Sequence, residues 1–152
     1  MKRIFSLSLC ILLLLSLSIN ASAETNNSGT VIFREETLLE NGLLVVDEII
    51  EYAQTRIATK SYTRQQSFYY KDNLIAVIAF TAKFYYDGID VSVISKSVTQ
   101  TDTYNNWNYT QNSFTSSGGT VTLTGKLTKL LIFNASISMG LACDANGNIT
   151  IF

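Results

Sequence analysis

The sequence has 152 residues, 11 Lys and Arg against 12 Asp and Glu for a net charge of −1, and neither His nor Pro. With no basic excess to neutralise a phosphate backbone, nucleic acid is not an expected partner. The missing His removes the commonest general base and zinc ligand, and Ser–His or Cys–His nucleophile systems with it.

The N-terminus carries Lys2 and Arg3, then an apolar run from Ile4 to Ile19, then Ala21-Ser22-Ala23. A basic segment, an apolar segment and a small-x-small site together predict a secretory signal peptide over 1–23, and hence a secreted, extracellular protein. Cys10 follows Leu9, where lipidation requires a small residue, so no lipid anchor is expected. Cleavage after Ala23 leaves residues 24–152, 129 in all, with nine basic and twelve acidic side chains and a net charge of about −3. That length suits one domain with a real core. No later apolar run reaches the roughly 18 residues of a membrane-spanning helix. Of the two Cys only Cys143 then remains, so no intrachain disulfide is expected. Its place in the apolar run "GLAC" predicts a buried, inert thiol, the alternative being pairing between chains.

After a short polar lead, 24–29, strand-like stretches alternate with turn dipeptides. Asn41-Gly42 separates "TLLE" from "LLVV". In "VVDEIIEYAQT", Val46, Ile50 and Ala53 share one helical face, which leaves a short helix near 46–54 as an alternative to a strand. Residues 56–70 are β-rich and turn at Lys71-Asp72-Asn73. The stretch "LIAVIAFTAKFYYDGIDVSVISKSV" reads as a hairpin about Asp87-Gly88, the preferred pair for a two-residue type I′ turn. That turn pairs Tyr86 with Ile89, Phe84 with Val91, Ala82 with Val93 and Phe80 with Ser95. It gives an apolar face continued by Ile78, Ala76 and Leu74. Ser117-Gly118-Gly119 separates two further strands, and Asn146-Gly147 precedes a last one, "NITIF". Strands at this spacing without long crossovers predict an all-β fold. Its form is a single antiparallel β-sandwich, immunoglobulin-like in architecture but lacking the disulfide.

Three patterns invite a chemical reading. In "YNNWNYTQNSF", strand alternation puts Trp107 and Tyr109 on one face, a candidate ligand face for stacking sugars; the competing reading makes Trp107 a core anchor. "DANGN", from Asp144 to Asn148, resembles the start of a calcium loop, but Gly147 stands fourth rather than sixth, so a turn is expected and no metal. Glu35, Glu36, Glu40, Asp47, Glu48 and Glu51 form an acidic N-terminal segment. Arg56, Lys60, Arg64 and Lys71 are placed to pair with it across strands on a solvated surface.

The order of signal segment, polar lead, "FYYDGIDVSV" hairpin, aromatic–amide strand and "CDANGNI" turn resembles a loose group of uncharacterised small secreted proteins of Gram-positive bacteria. The resemblance implies an extracellular β-sandwich and carries over no catalytic residue. The expected function is a non-catalytic binding or surface-interaction module, with a glycan or cell-envelope polymer as partner and no cofactor. The alternative is a structural protein that self-assembles through exposed strand edges.

Overall fold

The structure is a computed structural model that describes residues 29–52, 58–130 and 133–152. The expected signal peptide and nearly all of the polar lead lie outside the described residues, as does Arg56. Nine strands follow in order: β1 (Thr30–Leu38), β2 (Leu43–Tyr52), β3 (Thr59–Tyr70), β4 (Asn73–Tyr86), β5 (Val91–Thr103), β6 (Asn108–Ser117), β7 (Thr120–Lys129), β8 (Phe133–Cys143) and β9 (Ile149–Ile151). They form two antiparallel sheets, β1-β2-β3-β4-β5 and β6-β7-β8-β9. The all-β sandwich expected from the sequence is the fold. Each sheet is a simple meander, and the chain changes sheet once, between β5 and β6. The likeness to immunoglobulin domains therefore stops at the two-sheet architecture, because no Greek-key connection is made.

The helix considered near 46–54 does not form: β2 runs as a strand to Tyr52, between β1 and β3. The sequence suggests helical spacing because β2 is buried on both faces. Leu43 and Ile49 point into the core, while Val46 is covered on the outer face beside Ser67 and Val77, its neighbours across β3 and β4.

The alternation of small and large apolar residues in β4 builds the centre of the core, where Ala76, Ile78, Phe80, Ala82 and Phe84 are all fully buried. Opposite them, β7 and β8 present Val121, Leu123, Leu127, Ile137, Met139 and Leu141 at a strict period of two. Buried Cys143 belongs to the same cluster as a free thiol.

The β4–β5 register differs from the expected one by two residues. Tyr86 pairs with Val91 and Phe84 with Val93, and bulges then shift Ala82 opposite Lys96 and Phe80 opposite Val98. A four-residue loop, 87–90, replaces the two-residue turn. The cause is local: the Asp87 carboxylate accepts the N–H groups of Ile89 (3.0 Å) and Asp90 (2.8 Å), an Asx turn that competes with the tighter hairpin. The Gly88 N–H is donated instead to Ala145 O, in the β8–β9 turn of the other sheet, at 2.8 Å. Next to the loop the slip is even and Val91 and Val93 stay inward; past the bulge it is three, so Ser95 turns outward and Lys96 and Val98 come in. Phe80 and Phe84 are core residues as expected; Val91 and Val93 are half-buried and pack against it.

One charged side chain crosses the interior. Arg64 on β3 is 4% exposed. Its Nε and Nη2 donate to the two oxygens of Asp47 on β2, at 3.1 and 2.6 Å. Its Nη1 donates to the main-chain oxygens of Gly140 (2.5 Å) and Phe152 (2.8 Å) in the opposite sheet. Gln66 Nε2 adds a third donor to Asp47, at 2.9 Å. The expected pairing of acids with bases across strands is therefore present as Arg64–Asp47, buried rather than solvated, and as Lys60–Glu51; Lys71 is in no ion pair among the described residues, and Arg34–Glu48 is a further pair.

Two outcomes are expected. Phe84→Ala lowers unfolding free energy by about 3–5 kcal/mol, because a fully buried ring leaves a cavity; a urea midpoint equal to that of the parent would place Phe84 outside the core. Asp47→Ala leaves a buried guanidinium without its carboxylate and costs about 3–5 kcal/mol, measured by the same urea titration.

Candidate functional site

In a meander every second turn lies at the same end, so the β1–β2, β3–β4, β5–β6 and β7–β8 connections gather at one end of the sandwich. Backbone strain collects there as well. The non-glycine residues with positive φ, among the described residues, are Lys71 (50°), Asp72 (62°), Asn105 (55°), Asn106 (62°) and Leu130 (52°). All five belong to three of these four connections. Lys71 and Asp72 form the two-residue connection between paired Tyr70 and Asn73, so the hairpin turn with both φ positive is built here without glycine. Left-handed backbone costs roughly 1–2 kcal/mol for a residue with an ordinary side chain, and strain of this kind concentrates at binding and catalytic sites.

Between these turns lie two adjoining hollows. One, of about 360 Å³, is lined by Tyr70, Lys71, Asn73, Ile75, Asn105, Trp107 and Lys129. The other, of about 460 Å³, is lined by Leu38, Asn41, Gly42, Leu44, Tyr69, Tyr70, Lys71 and Asp72. Tyr70 and Lys71 line both, so the two hollows adjoin at the β3–β4 turn, one on the outer face of sheet β1–β5 and one between the sheets; together they make the loop-end trough.

Trp107 is 3% exposed and belongs to the core cluster. It is held by edge contact with Phe133 (ring centroids 4.7 Å apart) and by Tyr70 (6.0 Å), with the Lys129 ammonium 5.6 Å from its ring. Its Nε1–H has no hydrogen-bond partner. A buried donor left unpaired costs about 1–3 kcal/mol.

Trp107, just before β6, and Tyr109 share one side as expected, with exposed Asn108 between them, but that side faces the core rather than an open ligand face. Tyr109 turns inward, its ring lying over Gly125 of β7, where a Cβ would collide with it. Burial pushes the Tyr109 phenol up, and its hydroxyl is unpartnered. Phe114, expected on the opposite face, also packs on the core, because a bulge between Gln111 and Ser113 reverses the parity of β6. Only Trp107 of the two candidates reaches the trough. Tyr70, Lys71 and Lys129 were not singled out as ligand residues. A turn at Lys71 is legible in the sequence, but its meeting with Trp107 and Lys129 depends on how the two sheets pack.

The remaining candidates are structural. The Asp144 carboxylate in "DANGN" is filled by the N–H groups of Asn146 and Asn148 and the Asn148 side-chain amide, each at 2.8 Å. These donors hold its pKa below the usual carboxylate value and make the segment a turn. Glu35 and Asp47 are cross-strand neighbours in a groove that Ser136 and Ser138 also line. Asp47 is committed to Arg64 and Gln66, and both acids lie on one sheet face rather than opposed across a cleft. Burial pushes the Cys143 thiol up to about 11, well away from thiolate reactivity at neutral pH.

In comparisons with known proteins, no family profile, no curated protein and no solved structure matches the chain.

Trp107 is the only Trp in the sequence, so all indole fluorescence reports on the trough wall. Its burial predicts blue-shifted emission that acrylamide quenches poorly in the native state and readily in urea. Red-shifted, quenchable native emission would contradict the packing against Tyr70 and Phe133.

Proposed function

We propose that the protein is a secreted, non-catalytic binding module that holds an extended glycan or cell-envelope polymer across the loop end of its sandwich. The observation that carries this reading is the pair of hollows that adjoin at Tyr70 and Lys71, beside turns with left-handed residues. Its length suits consecutive units of a polymer better than one compact metabolite. Tyr70 is half-buried and offers ring area, while Asn41, Asn73 and Asn105 offer amides to hydroxyls. The absence of His and the commitment of Asp47 to Arg64 favour binding over hydrolysis. Secretion rests on the N-terminal sequence pattern and accords with the resemblance to small Gram-positive secreted proteins.

Few rings line the trough, so affinity for a short oligosaccharide is expected between about millimolar and high micromolar. A glycan and envelope-polymer array probed with the secreted protein tests the reading. Tyr70→Ala should weaken whatever binding the array finds by about tenfold, since an aromatic contact is worth about 0.5–1.5 kcal/mol beyond its buried area. Binding that is indifferent to this substitution would place the site elsewhere.

The alternative, self-assembly through strand edges, is favoured by a separate observation. The β1 edge is nearly all exposed, with Val31 at 51%, Ile32 at 47% and Leu38 at 72%. In the other sheet, β9 pairs only with Leu141–Cys143, so the rest of the β8 edge has no strand partner among the described residues. Sedimentation velocity separates the two readings: a concentration-independent monomer supports the binding module, and open-ended growth supports assembly.

A further inference from the structure

We infer that the ligand of the loop-end trough is anionic: the hollow beside Trp107 is built to take a carboxylate or phosphate group between Lys71 and Lys129. The inference rests on the binding reading above and narrows it to one chemical class.

Four observations carry it. Both lysines line this hollow, and no carboxylate does. Neither lysine is in an ion pair among the described residues, whereas Arg34, Lys60 and Arg64 all are. The two ammonium groups lie over aromatic rings, Lys71 5.5 Å from the centre of Tyr70 and Lys129 5.6 Å from that of Trp107, so their charges are held at the hollow. Beside Lys129 the Trp107 indole, 97% buried, forms part of the wall of this hollow. Asp72, next to Lys71 in the chain, lines the neighbouring hollow and not this one.

Two cations without counter-ions, with the Asn105 side chain beside them, match an oxyanion on a polar body. Charge-assisted hydrogen bonds to such a group are about twice as strong as neutral ones. Against a chain whose overall charge is negative, the pair makes a local positive end that selects polyanions. A uronate glycan and a polyol-phosphate polymer present this chemistry equally, and the test distinguishes them.

The full secreted protein is titrated by calorimetry with polygalacturonate, with poly(glycerol phosphate) and with neutral dextran, while Trp107 emission is followed in parallel. The inference expects binding of at least one polyanion, a change in Trp107 emission on binding, and no dextran binding. Affinity should fall at least tenfold in the double variant Lys71→Gln, Lys129→Gln and fall steeply between about 0.05 and 0.3 M salt. Response to polygalacturonate alone would assign a uronate, and response to poly(glycerol phosphate) alone a phosphate. Dextran binding as tight as polyanion binding, unaffected by the lysine substitutions, would overturn the anionic class and leave the polymer reading standing. No binding of any of the three, with array binding also absent, would overturn both. Both lysines keep contact with solvent, so an unchanged thermal midpoint shows that the variant is folded.

Discussion

Arg64 is the buried charged side chain that joins the two sheets by polar bonds. Its guanidinium reaches from β3 to Asp47 on β2 and across the interior to Gly140 and Phe152. A buried ion pair gains little net stability over an apolar pair of similar shape, because desolvation offsets the attraction. Its value here is directional. A hydrophobic interface between two sheets tolerates sliding, whereas a fork with four acceptors fixes which part of β8–β9 faces which part of β2–β3. Tyr62 repeats the device one row away, placing its hydroxyl 3.4 Å from Glu51 and 3.5 Å from Gly147 O. Burial and the Glu51 charge push that phenol up to about 12, so it stays a neutral donor at any ordinary pH.

The two flanks of the sandwich are closed differently. On one side β5 lies against β6: Val93 donates its N–H to Gly118 O (3.2 Å), and the Lys96 ammonium donates to Phe114 O (2.7 Å) while lying over the Phe114 ring. The bulges in β4–β5 and β6–β7 bend these edge strands toward each other. On the other side sheet β1–β5 is one strand wider than its partner, and β9 covers only three residues of β8. The Arg64 network sits at this flank, where its guanidinium bonds the oxygens of Gly140 and Phe152, which also pair with each other through their main-chain N–H groups. Glycine serves close approach inside sheet β6–β9: Gly125 lets the Tyr109 ring, and Gly140 the Phe152 ring, come where a Cβ would collide.

The loop end gathers local costs that the fold does not need. Type I′ geometry at Lys71-Asp72 without glycine, two left-handed asparagines, a left-handed Leu130 and an unpaired indole N–H collect at this end, and Lys71, Asn105 and Trp107 among them line one hollow. A scaffold built only for stability would place Gly at such positions and give the indole a partner. The sandwich tolerates these costs because its central strands bury a large continuous core. A lysine pair with free charge is the chemical counterpart of that geometry.

The sequence by itself determined the class of fold, most of the turns and the inward face of β4, because period-two alternation and Gly- or Asn-containing turns are local properties of the chain. It also indicated the strand that forms β3. It misjudged the places where local signals compete. Double-sided burial of β2 mimics helical spacing, and the Asp87 carboxylate overrides the hairpin preference of Asp87-Gly88. Bulges reverse parity in β6 without any residue that announces them. The candidate site was legible only as Trp107. Tyr70, Lys71, Asn105 and Lys129 lie up to about sixty positions apart, and only sheet packing brings their turns to one end. Whether Trp107 faced a ligand or the core was likewise decided by Tyr70 and Phe133, which close around it from β3 and β8. Alternation fixes which way a side chain points along its own strand; what it meets there is set by strands remote in sequence.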